Sequence, residues 1–263
     1  MLSVIQRDIP ALGHSYAPAG PGPFPALLLL HGSEGSRGWL AHRDAALFAA
    51  HGFLAIPYGY SVGDNPWVGG DIWETDLDAT EQALAALRAS KLCGGKVGVY
   101  GWSRGGEHAL LSTALLAGCA SDSLPDAVAA HAAPDVVISA WRNLFARHPE
   151  QRKDDVVAPP PRWGWPSDRD DSSLSAWTWR GETIPPDAPI EIERYPGPIF
   201  LSVGDQDEIW PAEMTTRLAD RLRRAGRTPE VHIYEGQLHT PDPAGWNRHL
   251  GLLLDFFGRS LAV

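Results

Sequence analysis

The chain has 263 residues, enough for one large domain whose core needs no disulfides or metals. Hydrophobic residues make up 44% and charged residues 21%, a globular rather than a disordered balance. Its 22 Lys and Arg against 32 Asp and Glu give a net charge of −10, which argues against nucleic acid or an anionic membrane as general partner. With only Cys93 and Cys119, a disulfide-built scaffold is excluded. No basic segment followed by a long apolar run opens the chain, so no signal peptide is expected and the cytoplasm is the expected compartment. The longest apolar stretch, Phe24 to Leu30, is too short to cross a bilayer.

In chain order, apolar runs alternate with amphipathic stretches. Ala26 to Leu30 is continuously apolar, as a strand buried on both faces should be. Trp39 to Ala50 reads as a helix stopped at His51-Gly52, and Phe53 to Pro57 as a strand. Asp71 is placed to cap a helix running to Ser90, with Trp73, Leu77, Leu84 and Leu87 on one stripe. Lys96 to Tyr100 is a strand and Arg104 to Gly118 a helix. Further strands are expected at Ala127–Ala130, Ile199–Val203 and Glu230–Tyr234, and helices at Ala212–Ala225 and Trp246–Ser260. Such alternation implies an α/β fold, a mostly parallel sheet covered by helices on both faces.

One stretch breaks the rhythm. From Pro149 to Pro198 the chain holds 10 of its 23 prolines, and Trp141, Trp163, Trp165, Trp177 and Trp179 lie within or just before it. An irregular excursion this long inside a domain is usually a lid or a binding element. We read 141–195 as a lid-like insertion over the strand ends of one domain spanning 1–263. Its tryptophans either wall an apolar pocket or anchor the insertion to the sheet.

Gly101-Trp102-Ser103-Arg104-Gly105 matches Gly-x-Ser-x-Gly. In a chain with 27 glycines the pentapeptide alone is weak, and its setting carries the weight. It follows a strand directly and precedes an apolar helix, the strand–turn–helix setting of a nucleophile elbow. The bland alternative is a glycine-rich turn with Ser103 as a cap. A serine hydroxyl needs a base, and the base needs an orienting carboxylate. His239, on the loop after the strand Glu230–Tyr234, is at a C-terminal strand end, where open α/β sheets gather their sites. His31 is its rival; His108, His232 and His249 fall inside elements and are expected to pack. Asp207, in Gly204-Asp205-Gln206-Asp207, is the first choice of acid and Asp205 the second. Ser…Asp…His is the chain order of α/β hydrolases.

An oxyanion needs backbone donors. One is expected at Arg104, just after the nucleophile. The other is expected in His31-Gly32-Ser33-Glu34-Gly35, at Ser33 first and Glu34 second. His31, Glu34, Trp102, Trp163, Trp165 and Trp210 are the candidate pocket residues.

With these residues in place the chain resembles the α/β-hydrolase superfamily over nearly its whole length. It is most similar to the dienelactone-hydrolase-like branch, including the acyl-CoA thioester hydrolase and bile-acid acyltransferase C-terminal domains. Those domains share a run like Gly101 to Glu107, a Gly-x-x-Asp run like Gly204 to Asp207 with a tryptophan nearby as at Trp210, and a histidine after the last strand like His239. The resemblance implies a serine or cysteine nucleophile attacking esters or thioesters, with no organic cofactor and no metal. Dienelactone hydrolases proper carry cysteine where this chain has Ser103. The expected partner is a small-molecule ester or thioester, and the expected assembly a monomer or homodimer. A coenzyme A thioester would call for basic residues at the pocket mouth, and Arg142 to Arg180 supply several, interleaved with aspartates. Peptidase action is a weaker rival. A non-catalytic ligand-binding protein on the same fold is the alternative from another class.

Overall fold

The structure is a computed structural model that describes residues 3–36, 39–61, 70–140 and 174–262. Eight strands form the main sheet, in the order β1-β2-β4-β3-β6-β7-β10-β11. They are β1 (Val4–Ile9), β2 (Gly13–Pro18), β3 (Phe24–Leu30), β4 (Leu54–Tyr58), β6 (Cys93–Trp102), β7 (Ala127–His131), β10 (Ile199–Gly204) and β11 (Glu230–Tyr234). From β4 to β11 every pairing is parallel, and β1 and β2 add antiparallel strands at one edge. The β1–β2 hairpin is absent from the sequence expectation. Its strands carry exposed Gln6, Asp8 and His14 and the half-buried Arg7, so they lack the long apolar run that marks a buried strand.

Strand periodicity sorts the core into two layers. Leu28 and Leu30 face one side with Leu84, Leu110 and Leu218, whereas Leu27 and Leu29 face the other with Phe48, Leu253 and Phe257. The first layer packs under α2 (Asp78–Ala89), α3 (Arg104–Gly118) and α4 (Ala212–Arg224). The second packs under α1 (Trp39–Ala50) and α5 (Pro243–Ser260). This is the expected α/β architecture, with α1, α3 and β11 at their predicted limits.

Two helix starts differ. The helix expected from Asp71 starts at Asp78, and Asp71 is itself buried. Residues 75–76 form β5 (Thr75–Asp76), which pairs with β8 (Trp177–Trp179) about a hundred positions later, a partner no local pattern reveals. β8 turns back on β9 (Glu182–Ile184), so the end of the excursion is a short three-stranded sheet. The last helix begins at Pro243 rather than Trp246. Asp242 caps it by accepting from Gly245 N at 2.7 Å, and proline is favoured at the first helical position.

Among the described residues no helix is long and apolar enough to cross a membrane.

Candidate active site

The C-terminal ends of β3, β6, β10 and β11 deliver the site. Ser103 follows β6 with φ 56° and ψ −121°, a conformation unusual for a residue with a side chain. The turn works because its neighbours lack side chains. A Cβ at Gly101 would lie 1.9 Å from Gly105 O, and one at Gly105 would lie 2.1 Å from Leu30 O. Helix α3 therefore starts hard against β3 and β6, with Ser103 at its N-terminus.

Three side chains distant in sequence meet there. His239 Nε2 lies 3.0 Å from Ser103 Oγ, and His239 Nδ1 lies 2.9 and 3.1 Å from the two Asp207 oxygens. Exposure is 5% at Ser103, 6% at Asp207 and 7% at His239. Asp207 Oδ1 also accepts from the backbone N–H groups of Ile209 and Trp210, each at 2.8 Å. The His239 amide donates to Glu208 Oε2 at 3.0 Å, and the His239 ring stacks beside Trp102 at 6.0 Å. Asp205 is engaged elsewhere, accepting from Gly236 N at 2.7 Å, which ties the β10 turn to the loop after β11. His31, the rival base, stacks on Tyr60 at 4.1 Å with its Nδ1 on Gly32 O.

The loop after β3 brings a second carboxyl to the serine. Glu34 Oε1 accepts from Gly32 N at 2.9 Å, and a Cβ at Gly32 would meet Glu34 Oε2 at 2.4 Å and Ser103 Cβ at 3.3 Å. Burial pushes the Glu34 carboxyl up to about 7, against the lowering pull of its own and the Gly32 amides. Burial likewise pushes Asp44 up to about 6, despite the Arg43 guanidinium beside it. His31, Glu34, Asp44, Tyr100 and Trp102 border a cavity of about 20 Å³. That is room for roughly one water molecule, not for an acyl chain. Trp163 and Trp165 lie outside the described residues, as does 141–173 of the expected insertion.

Two features escape sequence reasoning. Arg104 enters as a backbone donor, yet its side chain is fully buried and pairs with Glu107 at 2.7 Å. Glu107 Oε1 also accepts from Trp177 Nε1 at 2.7 Å and from Ile138 N at 2.9 Å. This links helix α3 to both flanks of the excursion. The available signal is an Arg and a Glu three apart in a helix that, His108 aside, is made of small and apolar residues. The other feature is Trp210, expected as a pocket wall, whose Nε1 lies 3.3 Å from Ser103 Oγ.

Among the described residues no cluster of three or more His, Cys, Asp or Glu side chains could hold a metal ion.

Comparison with known proteins agrees with this fold. The dienelactone hydrolase family matches residues 169–241, a span that contains Asp207 and His239 and begins well after Ser103. A dienelactone hydrolase from Anabaena variabilis superposes over 99% of this chain and 98% of its own, with a TM-score of 0.56 at 15% identity. This chain has the α/β-hydrolase fold, and its C-terminal part is similar to the dienelactone hydrolase family. The chain is also 28% identical over 238 residues to acyl-coenzyme A thioesterase 6 of Mus musculus, covering 87% of this chain and 51% of that protein. It is 28% identical over 255 residues to acyl-coenzyme A amino acid N-acyltransferase 2 of Rattus norvegicus, covering 91% and 56%. The chain thus spans about half the length of the curated relatives it matches.

Proposed function

We propose that this α/β hydrolase cleaves a carboxylic ester or thioester of a small molecule through a Ser103–His239–Asp207 triad and an acyl-enzyme intermediate. The observation that carries the reading is the unbroken chain of contacts from Asp207 through His239 to Ser103 Oγ, in a turn that holds Ser103 at a helix N-terminus. His239 Nε2 takes the Ser103 proton as Oγ attacks the carbonyl carbon. The tetrahedral oxyanion is met by the Arg104 amide and by an amide of the loop after β3. The Glu34 carboxylate accepts from the Gly32 amide and from its own amide. No hydrogen bond engages the Ser33 amide among the described residues, which supports Ser33 as the second donor. The leaving alcohol or thiol departs with the proton from His239. Water then attacks the acyl-enzyme, gives its proton to His239, and Ser103 leaves with it. Asp207 fixes the imidazole tautomer and balances its transient charge.

A thioester of coenzyme A is favoured by one observation, the similarity to a protein named as an acyl-coenzyme A thioesterase. Paired hydrolysis of p-nitrophenyl acetate and short acyl-coenzyme A thioesters, by wild type and Ser103→Ala, tests both levels. Turnover lost in the variant supports the triad, and the preferred substrate decides ester against thioester. Full activity in Ser103→Ala, or silence of the folded wild type on both substrates, overturns the reading. Silence would favour the ligand-binding alternative.

A further inference from the structure

Two groups hydrogen-bond Ser103 Oγ, and the triad uses only one of them. Beside His239 Nε2 at 3.0 Å is Trp210 Nε1 at 3.3 Å, a group that can donate but not accept. Trp210 is 1% exposed and packs on Ile138 and Met214, so its ring is fixed rather than swept into place. Its backbone is fixed as well. Asp207 Oδ1, which orients His239, accepts the Trp210 amide at 2.8 Å. One carboxylate therefore indexes both groups that address the nucleophile oxygen.

We propose that Trp210 is a catalytic hydrogen-bond donor whose indole N–H stabilises negative charge on Ser103 Oγ, chiefly when Oγ is expelled during deacylation. The proposal rests on Ser103 being the nucleophile. In acylation Oγ gives its proton to His239, bonds to the carbonyl carbon and is consumed, so a donor on it helps little. In deacylation the water oxygen bonds to that carbon and its proton goes to His239. The carbon–Oγ bond then breaks, and charge gathers on Oγ until His239 returns the proton. The indole N–H faces that charge throughout and is not itself transferred. A preorganised donor at a site of developing charge in a buried pocket is worth far more than the same donor in water.

The test removes the donor and keeps the ring. Trp210→Phe and a variant carrying benzothienylalanine at 210, in which sulfur replaces the N–H, are compared with wild type on p-nitrophenyl acetate. The expected result is a fall in kcat of about 10- to 100-fold, the scale of a lost hydrogen bond to a charged group. The specificity constant kcat/KM, which reports acylation, should change much less, so KM falls with kcat. Mass spectrometry should then show acetylated Ser103 accumulating in the variant. Unchanged kcat in the benzothienyl variant overturns the proposal. So does an equal fall in kcat and kcat/KM without accumulation, which marks a packing role. Fluorophosphonate labelling of wild-type Ser103 separates the two failures. Labelling with no kinetic split sinks Trp210 alone, whereas its absence sinks the nucleophile and Trp210 with it.

Discussion

Asp207 and Glu34 both bring carboxyl groups to the neighbourhood of Ser103, and their surroundings treat them differently. Asp207 sits in the turn after β10 and accepts from two backbone amides and from His239. Glu34 sits in the loop after β3 with only backbone amides of its own loop, and among the described residues it forms no ion pair. Burial there prevails and pushes its carboxyl up to about 7. A third buried carboxyl, Glu107, meets the same desolvation with Arg104 against it. The contrast teaches that burial alone does not assign a carboxyl its role; the donors supplied around it do.

The sharpest way to break this comparison is to change each carboxyl to its amide or to alanine. In Asp207→Asn the imidazole loses its orienting acceptor, and kcat for p-nitrophenyl acetate should fall by about 10⁴-fold with the fold intact. A loss under tenfold would remove Asp207 from the mechanism.

Glu107→Ala leaves Arg104 buried without its counter-charge. Such a break costs about 3–5 kcal/mol, so denaturant unfolding should show a loss of that size. A loss below 1 kcal/mol would mean that water reaches the pair.

Acid should unfold the protein along a path set by its buried histidines. Burial lowers His108 and His249 to about 3 and His131 well below its usual value. The unfolded chain therefore binds these protons below about 6.5 while the native chain does not, and stability falls as pH drops. Between about 4.5 and 6 this is offset only in part, because native Glu34 and Asp44 hold two protons that the unfolded chain has released, against three on the histidines. Below about pH 4.5 the histidines act unopposed, at roughly 1.4 kcal/mol per pH unit each. Unfolding measured at pH 7, 5 and 4 should show stability falling gently over the first interval and more steeply over the second. His108→Gln should reduce the steep slope by about a third.

The smallest effect belongs to Glu34. As pH rises through about 7 its carboxyl ionises beside the place where the oxyanion forms. Activity on a neutral ester should decline over that range by about fivefold, roughly 1 kcal/mol of repulsion. Glu34→Gln should abolish the decline; an unchanged pH profile would place Glu34 outside the electrostatics of the site.

Much of this was legible in the sequence, for identifiable reasons. The parallel strands announce themselves because burial on both faces forces apolar runs such as Leu27–Leu30. Ser103, Asp207 and His239 stand out because each lies at or shortly after the C-terminal end of a strand, and strand ends converge in a parallel sheet. Their meeting, and the engagement of Asp205 elsewhere, needed coordinates. The β1–β2 edge is hidden by its polar faces, and β5 by a partner a hundred residues away. The Arg104–Glu107–Trp177 link was illegible because two of its members are neighbours on a helix, where a surface pair is the ordinary reading. Trp210 was read by its bulk, and only its indole N–H relates it to Ser103.

The central claim is that Asp207 and His239 activate Ser103. The most direct measurement is the rate and site of fluorophosphonate labelling, followed by mass spectrometry, in wild type, Ser103→Ala and Asp207→Asn. The account predicts one adduct on Ser103 in wild type, none in Ser103→Ala, and labelling of Asp207→Asn slowed by orders of magnitude. An adduct that persists in Ser103→Ala, or a folded wild-type protein that takes none, would contradict it.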